Sequence, residues 1–547
     1  MSDEKLKKSI VLQGSILAGA GLISKVIGFV YRIPMANVIG NTGNGLYSVA
    51  FGIYNIALTL SSYSMPLAIS KLMSARLAKK EFKNAHRMFA DALAFAMIAG
   101  LCAALVLFFG AGAFAGLYHK QGLEAPLRVL APTVFVVALL GSCRGYYQGH
   151  RNMLPTALSQ VLEQVVNAVV SVVAASALVK AATEHPEDAV YDSPAAAGAA
   201  GGTLGTLAGA AAALLFFALL FFFDREKRLK EKSGEDTHDE SHALIMKALL
   251  LTVLPVILSQ TVYQIGYTTD DLLFGNLMVL KGFSEQDVTS LQGVFNTQYN
   301  QMINLPVAIA TAMAAATLPS IVVSHTRGER EKVKEKTNTV LKINMLIAFP
   351  SAVGLAVLAE PIMGVLFPRL GEYLPVAVML LRTGSAAVVF YALSTLTNSI
   401  LQGCDRMRLP VIHSAAALVI HILLVAFCIR YTSLGVYSLV IGNVTFPLCV
   451  SIMNGFSIRK LLGYRFQWSR SFIKPLIASL IMGAVARGVY TGILRWNDGL
   501  SEKLGMLIAM MSAIFIGALS YFVLLSFLRV LTRDELRQIP VVKRWYS

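Results

Sequence analysis

The chain has 547 residues, 56% of them hydrophobic and only 14% charged, with a mean hydropathy of +0.63. A soluble protein of this length has no use for so much apolar surface, so the composition excludes a soluble enzyme and points to a polytopic, all-α membrane protein. The formal net charge of +16 would suggest nucleic acid in a soluble chain; here its placement along the sequence gives another reading, and no nucleic-acid partner is expected. Five cysteines (Cys102, Cys143, Cys404, Cys428, Cys449) fall in or beside apolar runs and are odd in number, so neither a disulfide framework nor a metal site is expected, and no cofactor.

In chain order, the segment Met1 to Lys8 is charged, and the apolar run after it is too long for a signal-peptide core, so the first helix is expected to be retained. Apolar stretches of ~20 residues, the length that crosses a bilayer, number about fourteen. They cover approximately 9–35, 44–75, 88–117, 125–149, 155–180, 195–223, 243–280, 289–325, 338–367, 374–403, 409–430, 433–458, 471–495 and 504–529. If spans alternate, Lys5 to Lys8, Arg76 to Arg87, Arg225 to Lys232, Arg327 to Lys336, Arg406/Arg408, Arg459 to Arg470 and the tail after Arg529 share one side. That side holds about thirty Lys and Arg against about seven on the other, which predicts both termini in the cytoplasm.

The charged run Asp224 to His242 is the natural linker between two halves. Pro66-Leu67-Ala68-Ile69 in span 2 matches Pro306-Val307-Ala308-Ile309 in span 8, and Gln148-Gly149 through Pro155 matches Gln402-Gly403 through Pro410. These repeats predict two pseudo-symmetric six-helix lobes, 1–223 and 243–458, joined by a cytoplasmic linker 224–242, with an added two-helix region and tail at 459–547. Six is even, so the copies share an orientation, as in transporters that hold substrate between parallel repeats.

Several polar residues interrupt the apolar spans. Lys25 and Arg32 stand seven residues apart on span 1, on nearly the same helical face. A cation near the bilayer centre costs roughly 2.5 to 3.5 kcal/mol, which favours a protein interior, a cavity or a ligand. At about 1.5 Å per residue from Ile10, Lys25 lies ~22 Å deep and Arg32 ~33 Å, so Arg32 can also snorkel to headgroups. The repeat offset sets Arg32 within two residues of Asp270 and Asp271 on span 7. In one reading, Lys25 and Arg32 meet an anionic head group and Asp270 or Asp271 supplies a counter-charge; in the other, the acids are boundary residues in water. Gln298, Gln301 and Asn304, with Asn300 beside them, form a polar stripe on span 8 that lines a cavity or joins helices. Arg144 and Glu163 flank the Pro155 turn and are expected to pair across a hairpin, while His413 and His421 read as packed or boundary residues. No HExxH, Walker loop or GxSxG with partners occurs, so no enzyme is predicted.

Taken together, Ser24-Lys25-Val26-Ile27-Gly28-Phe29 followed by Arg32, the run Leu305-Pro306-Val307-Ala308-Ile309 leading to Leu318-Pro319-Ser320, and the turn Arg144-Gly145-Tyr146-Tyr147-Gln148-Gly149 through Pro155 resemble the multidrug/oligosaccharidyl-lipid/polysaccharide flippase superfamily. Within it the chain is most similar to MurJ-type lipid II flippases and SpoVB/YtgP-type proteins. The resemblance implies a two-lobed bundle moving an undecaprenyl-diphosphate-linked sugar between leaflets by alternating access, with span-1 cations on the diphosphate and the last two spans helping to form a groove for the lipid tail. Lys25 stands where relatives carry arginine, and a lysine cannot make arginine's planar bidentate contact with phosphate. Span 2 reads Tyr54-Asn55-Ile56-Ala57 where several relatives carry arginine, which makes Asn55 the candidate there, and Asn300-Gln301 replaces an acid-base pair. The expectation is a flippase for lipid II, with membrane lipids and a possible coupling ion as further partners. Its rivals are a flippase for another lipid-linked oligosaccharide, a cation-coupled multidrug exporter and a non-transporting scaffold of wall assembly.

Overall fold

The computed structural model describes residues 3–187, 190–226, 239–464, 467–496, 501–528 and 530. Every regular element among the described residues is helical. In a bilayer no water satisfies the backbone, so each apolar run must make its hydrogen bonds within itself. The chain packs as two compact units, Met1–Gly293 and Val294–Ser547.

The first unit holds α1 (Asp3–Ser61), α2 (Met65–Ala78), α3 (Phe82–Tyr118), α4 (Glu124–Gly149), α5 (Leu154–Glu184), α6 (Pro194–Phe223), α7 (His242–Leu280) and the short α8 (Glu285–Gly293). α1 is broken at Gly40, whose φ of 70° and ψ of 178° suit glycine and no β-carbon-bearing residue. The break frees carbonyls that cannot be left unpaired in an apolar surround. The side-chain amide of Asn44 takes two of them, at 2.9 Å from the Ala36 carbonyl oxygen and 2.7 Å from that of Gly40. α5 and α6 lie close enough that a β-carbon on Gly205 would sit 2.0 Å from Ser171 Oγ. Helices in lipid gain little from hydrophobicity against one another, and small residues give them backbone approach instead. Around the break, Met35, Leu46, Val49, Ala50, Leu127 and Leu130 form the buried core of this unit.

The packing division falls at Gly293, beyond the linker at which the sequence divides the chain, because α7 packs against α1 and α3. Most of the linker lies outside the described residues. Its two ends are tied to the first unit: Tyr147 donates to Asp224 at 3.0 Å, Arg76 pairs with Glu240, and Lys83 with Asp239 at 3.0 Å. His242, which opens α7, lies 2.8 Å from Asp91.

The second unit begins with a wide π-type turn, Val294–Tyr299, and continues through α9 (Asn300–Thr326), α10 (Arg330–Val357), α11 (Ala359–Leu366), α12 (Leu374–Gly384), α13 (Ala387–Gly403), α14 (Arg408–Tyr431), α15 (Tyr437–Leu462), a second π-type turn (Ser469–Ile473), α16 (Lys474–Arg495) and α17 (Glu502–Phe527). His421 is packed, its Nδ1 3.0 Å from the Gly442 carbonyl oxygen. Lys342 is buried inside this unit and donates to the Val530 carbonyl at 3.2 Å, which ties the segment after α17 to α10.

Among the described residues, ten helices are long and apolar enough to cross a membrane, or eleven if α12 and α13, bent by 44°, are taken as one span. The first of the ten, Ile16–Ala78, is 63 residues long and contains the Gly40 break. α7 and α9 include side chains outside the described residues and are not among the ten.

Candidate functional site

The polar residues singled out by the sequence fall into two groups, one in each unit. In the first unit, Lys25 and Arg32 are both exposed on α1, while Tyr31 between them is buried. Asn167 of α5 donates to the Tyr31 hydroxyl at 3.3 Å, and Ser171 donates to Asn167 Oδ1 at 2.8 Å, so α5 holds Tyr31, which in turn hydrogen-bonds the neighbouring Arg32. Arg144 Nη2 of α4 lies 2.7 Å from Glu163 Oε2 of α5, and Arg144 Nε donates to Ser159 Oγ at 3.1 Å. Asn55 is half-buried in the second part of α1.

Asp270 and Asp271 belong to this same unit. Asp270 is half-buried and Asp271 is 8% exposed, with Gln292 Nε2 of α8 donating to its carbonyl oxygen at 2.8 Å and to its Oδ1 at 3.3 Å. A cation does face Asp271, and it is Lys120 from the α3–α4 loop, a residue that the sequence does not distinguish from an ordinary loop charge. Lys120 is 2% exposed and its ammonium donates to Thr289 Oγ1 of α8 at 3.0 Å. Burial pushes it down from 10.5 to about 8, against the opposing attraction of Asp271 and Glu285.

In the second unit Gln298 and Gln301 are buried, Asn300 is half-buried and Asn304 is exposed. Gln298 lies in the π-type turn, a geometry that recurs at functional sites. Asn300 enters a network that joins the π-type turn to four helices. Asn443 Nδ2 of α15 lies 3.1 Å from Asn300 Oδ1 and 3.3 Å from the Tyr299 hydroxyl, Tyr391 of α13 donates to Asn443 Oδ1 at 2.7 Å, and Tyr299 donates to the Gly384 carbonyl at 3.2 Å. No periodicity within one helix reveals Tyr299, Tyr391 and Asn443, because the three are brought together only by packing.

The same unit contains a cavity of about 1070 Å³. Its lining is largely apolar, from Phe349, Val389, Phe390, Phe456 and Phe472. Arg459, in the last turn of α15, and Tyr464 and Trp468, between α15 and α16, also line it. Tyr464 is held by a 3.0 Å bond from its hydroxyl to Asn338 Oδ1, and burial pushes that hydroxyl up to about 12. A largely apolar space of this volume with one cation and two amphipathic rings in its wall fits a ligand with a hydrocarbon part and an anionic part.

The sequence profile of the family described as "Polysaccharide biosynthesis protein" matches residues 11–325, more than half of the chain. The chain belongs to that family. A second profile, MatE, matches residues 255–427 of this family member. Similar curated proteins include stage V sporulation protein B of Bacillus subtilis (strain 168), 24% identical over 98% of this chain and 99% of the relative. The lipid II flippase MurJ of the same organism is 22% identical over 90% of this chain and 89% of the relative. Among solved structures, lipid II flippase MurJ in an inward closed conformation superposes with a TM-score of 0.65 at 15% identity, covering 93% of this chain and 98% of that one. An inward-facing multidrug resistance MATE family transporter of the MOP superfamily gives 0.63 at 18% identity, over 80% and 95%. This family member is therefore an all-helical, multi-pass membrane protein with the MATE/MurJ fold.

Proposed function

We propose that this transporter moves lipid II, the undecaprenyl-diphosphate-linked peptidoglycan precursor, from the inner to the outer leaflet of the bacterial cytoplasmic membrane by alternating access. The observation that carries this reading is the pair Lys25 and Arg32 on the stretch of α1 from Ile10 to Met35, which holds no other charge. Two cations on one helix stretch suit a diphosphate, and a cation kept at membrane depth needs such a partner. The apolar cavity in the second unit supplies a surface for a polyprenyl tail, and the similarity to MurJ along nine-tenths of the chain supports the same cargo.

The reading uses fourteen spans. The stretch Ile16–Ala78 is divided at Gly40 into two, α7 forms the seventh, and α8 with the π-type turn and α9 forms the eighth. The lobes are then the repeats 1–223 and 243–458, and the distribution of Lys and Arg puts both termini in the cytoplasm. Lys25, Arg32 and Asn55 bind the head group, with Asp270 and Asp271 as counter-charge and Gln298, Asn300, Gln301 and Asn304 on the sugar; Arg144 and Glu163 hold α4 to α5.

The test is outer-leaflet lipid II in cells depleted of their own flippase and supplied with the wild-type chain, Lys25→Ala or Arg32→Ala. Restoration by wild type and loss in either well-expressed variant supports the proposal. A stable, inserted wild type that restores nothing overturns it in favour of another lipid-linked glycan, and restoration by both variants moves the head-group site elsewhere.

A further inference from the structure

The short helix α8 is docked on the α1 break and on the α3–α4 loop beside it by three kinds of contact. Thr42 and Ser290 hydroxyls lie 2.8 Å apart. Backbones touch where Gly45 meets Thr289 and Gly293 meets Asn41: a β-carbon on Gly45 would lie 2.0 Å from the Thr289 carbonyl oxygen, and one on Gly293 2.2 Å from that of Asn41. The third contact is Lys120, reaching from the α3–α4 loop to Thr289.

Lys120 is unlike the other two, because it buries a charge. An ammonium has three donors, and among the described residues Thr289 is its hydrogen-bond acceptor. The charged and titratable groups facing it are Asp271 from α7 and Glu285 from α8, with His119 of its own loop 3.9 Å from Glu285, and Tyr118 of α3 near Asp271. A solvated lysine keeps its proton to about pH 10.4, whereas burial lowers that value here to about 8. A cation whose docked surroundings disfavour its charged form holds the docked state less well when protonated, since proton uptake favours the state in which the group is solvated. The two carboxylates attenuate this cost without cancelling it, as the net direction of the shift shows.

We infer that Lys120 is a protonation-controlled positioning residue: as the neutral amine it holds α8 docked on the α1 break, and as the ammonium it favours release of α8 from that break. The proton is exchanged with water and no other bond is made or broken. The inference concerns the first unit alone and holds whatever the cargo.

The experiment is hydrogen–deuterium exchange of amides 285–293 in the full chain in lipid nanodiscs, corrected for the intrinsic pH dependence of exchange. Wild type should gain at least about tenfold protection between about pH 7 and about pH 9.5. Lys120→Met, permanently neutral, should be protected and flat with pH, and Lys120→Arg, permanently charged, poorly protected at both. A wild type with no pH dependence overturns the inference. So does a Lys120→Met chain less protected than wild type at about pH 7, which would make the ammonium a plain structural pin. If neither variant folds, the wild-type profile alone decides.

Discussion

Arg144 and Glu163 meet at 2.7 Å between α4 and α5, with their side chains 15% and 20% exposed. At that burial the pair is neither a surface bridge nor a fully desolvated one. Removing one partner leaves the other charge half out of water, so Glu163→Gln or Arg144→Met should each cost on the order of 2 kcal/mol. Thermal unfolding in detergent checks this, and the double variant Arg144→Met/Glu163→Leu should recover part of the loss.

The linker clip separates buried from exposed pairing. Arg76 and Glu240 are 9% and 19% exposed, whereas Lys83 and Asp239 are 46% and 55% exposed. Arg76→Ala should therefore destabilise by about 2–4 kcal/mol, and Lys83→Ala by less than about 1 kcal/mol. Unfolding curves for the two variants at low and high salt should show only the second losing its effect as salt rises.

Asn443 joins Tyr391, Asn300 and Tyr299. Asn443→Leu strands polar groups on two other helices at once, at about 1–3 kcal/mol for each buried group left without a partner. A lowered melting temperature is expected, with Tyr391→Phe/Asn443→Leu less damaged than the sum of its parts. Strict additivity of the two single changes would mean that the network is not coupled.

The cavity in the second unit offers a steric test of the proposed cargo. Leu393 lines it, and Leu393→Trp should fill part of the space at a stability cost of about 1–3 kcal/mol. Transport of a lipid-linked precursor with a full-length polyprenyl chain should fall about tenfold, while one with a short chain is spared. Equal loss for both lengths would detach the tail from this cavity.

Stability against pH carries the sign of Lys120. Below about 8 the lysine is charged whether folded or unfolded. Between that value and the ordinary value of 10.5 the folded chain has released a proton that the unfolded chain keeps, so stability rises with pH across the window. The melting temperature of wild type minus that of Lys120→Met should climb through this range, and a flat difference would contradict the assignment.

How much of this was legible before the structure differs by kind of residue. The apolar spans were in part, since burying a backbone in lipid leaves a long run of apolar side chains: about fourteen are read from the sequence, and ten or eleven stand among the described residues as helices long and apolar enough to cross a membrane. Their breaks were less so: the gap read between 36 and 43 is a single-residue break at Gly40, because Asn44 replaces the hydrogen bonds that would otherwise force a loop. The stripe Gln298, Gln301, Asn304 assumed 3.6 residues per turn, yet Gln298 lies in a wider turn, and the three differ in exposure from buried to open. Asp271 drew notice as a carboxylate in an apolar run, and its neighbour Lys120 did not, because a lysine in His119-Lys120-Gln121-Gly122 reads as solvated. Only the fold brings Thr289, 169 positions away, to its ammonium.

Asn44 also decides what kind of break Gly40 is. A glycine between two helices is ordinarily a swivel, free to absorb whatever twist one side imposes. Here one amide grips the Ala36 carbonyl on the near side and the Gly40 carbonyl at the break itself. The joint is therefore braced across the break: Asn44, on the part of α1 that carries Asn55, grips the part that carries Lys25 and Arg32, so the two are set at a crankshaft's offset and not strung like two rods on a string.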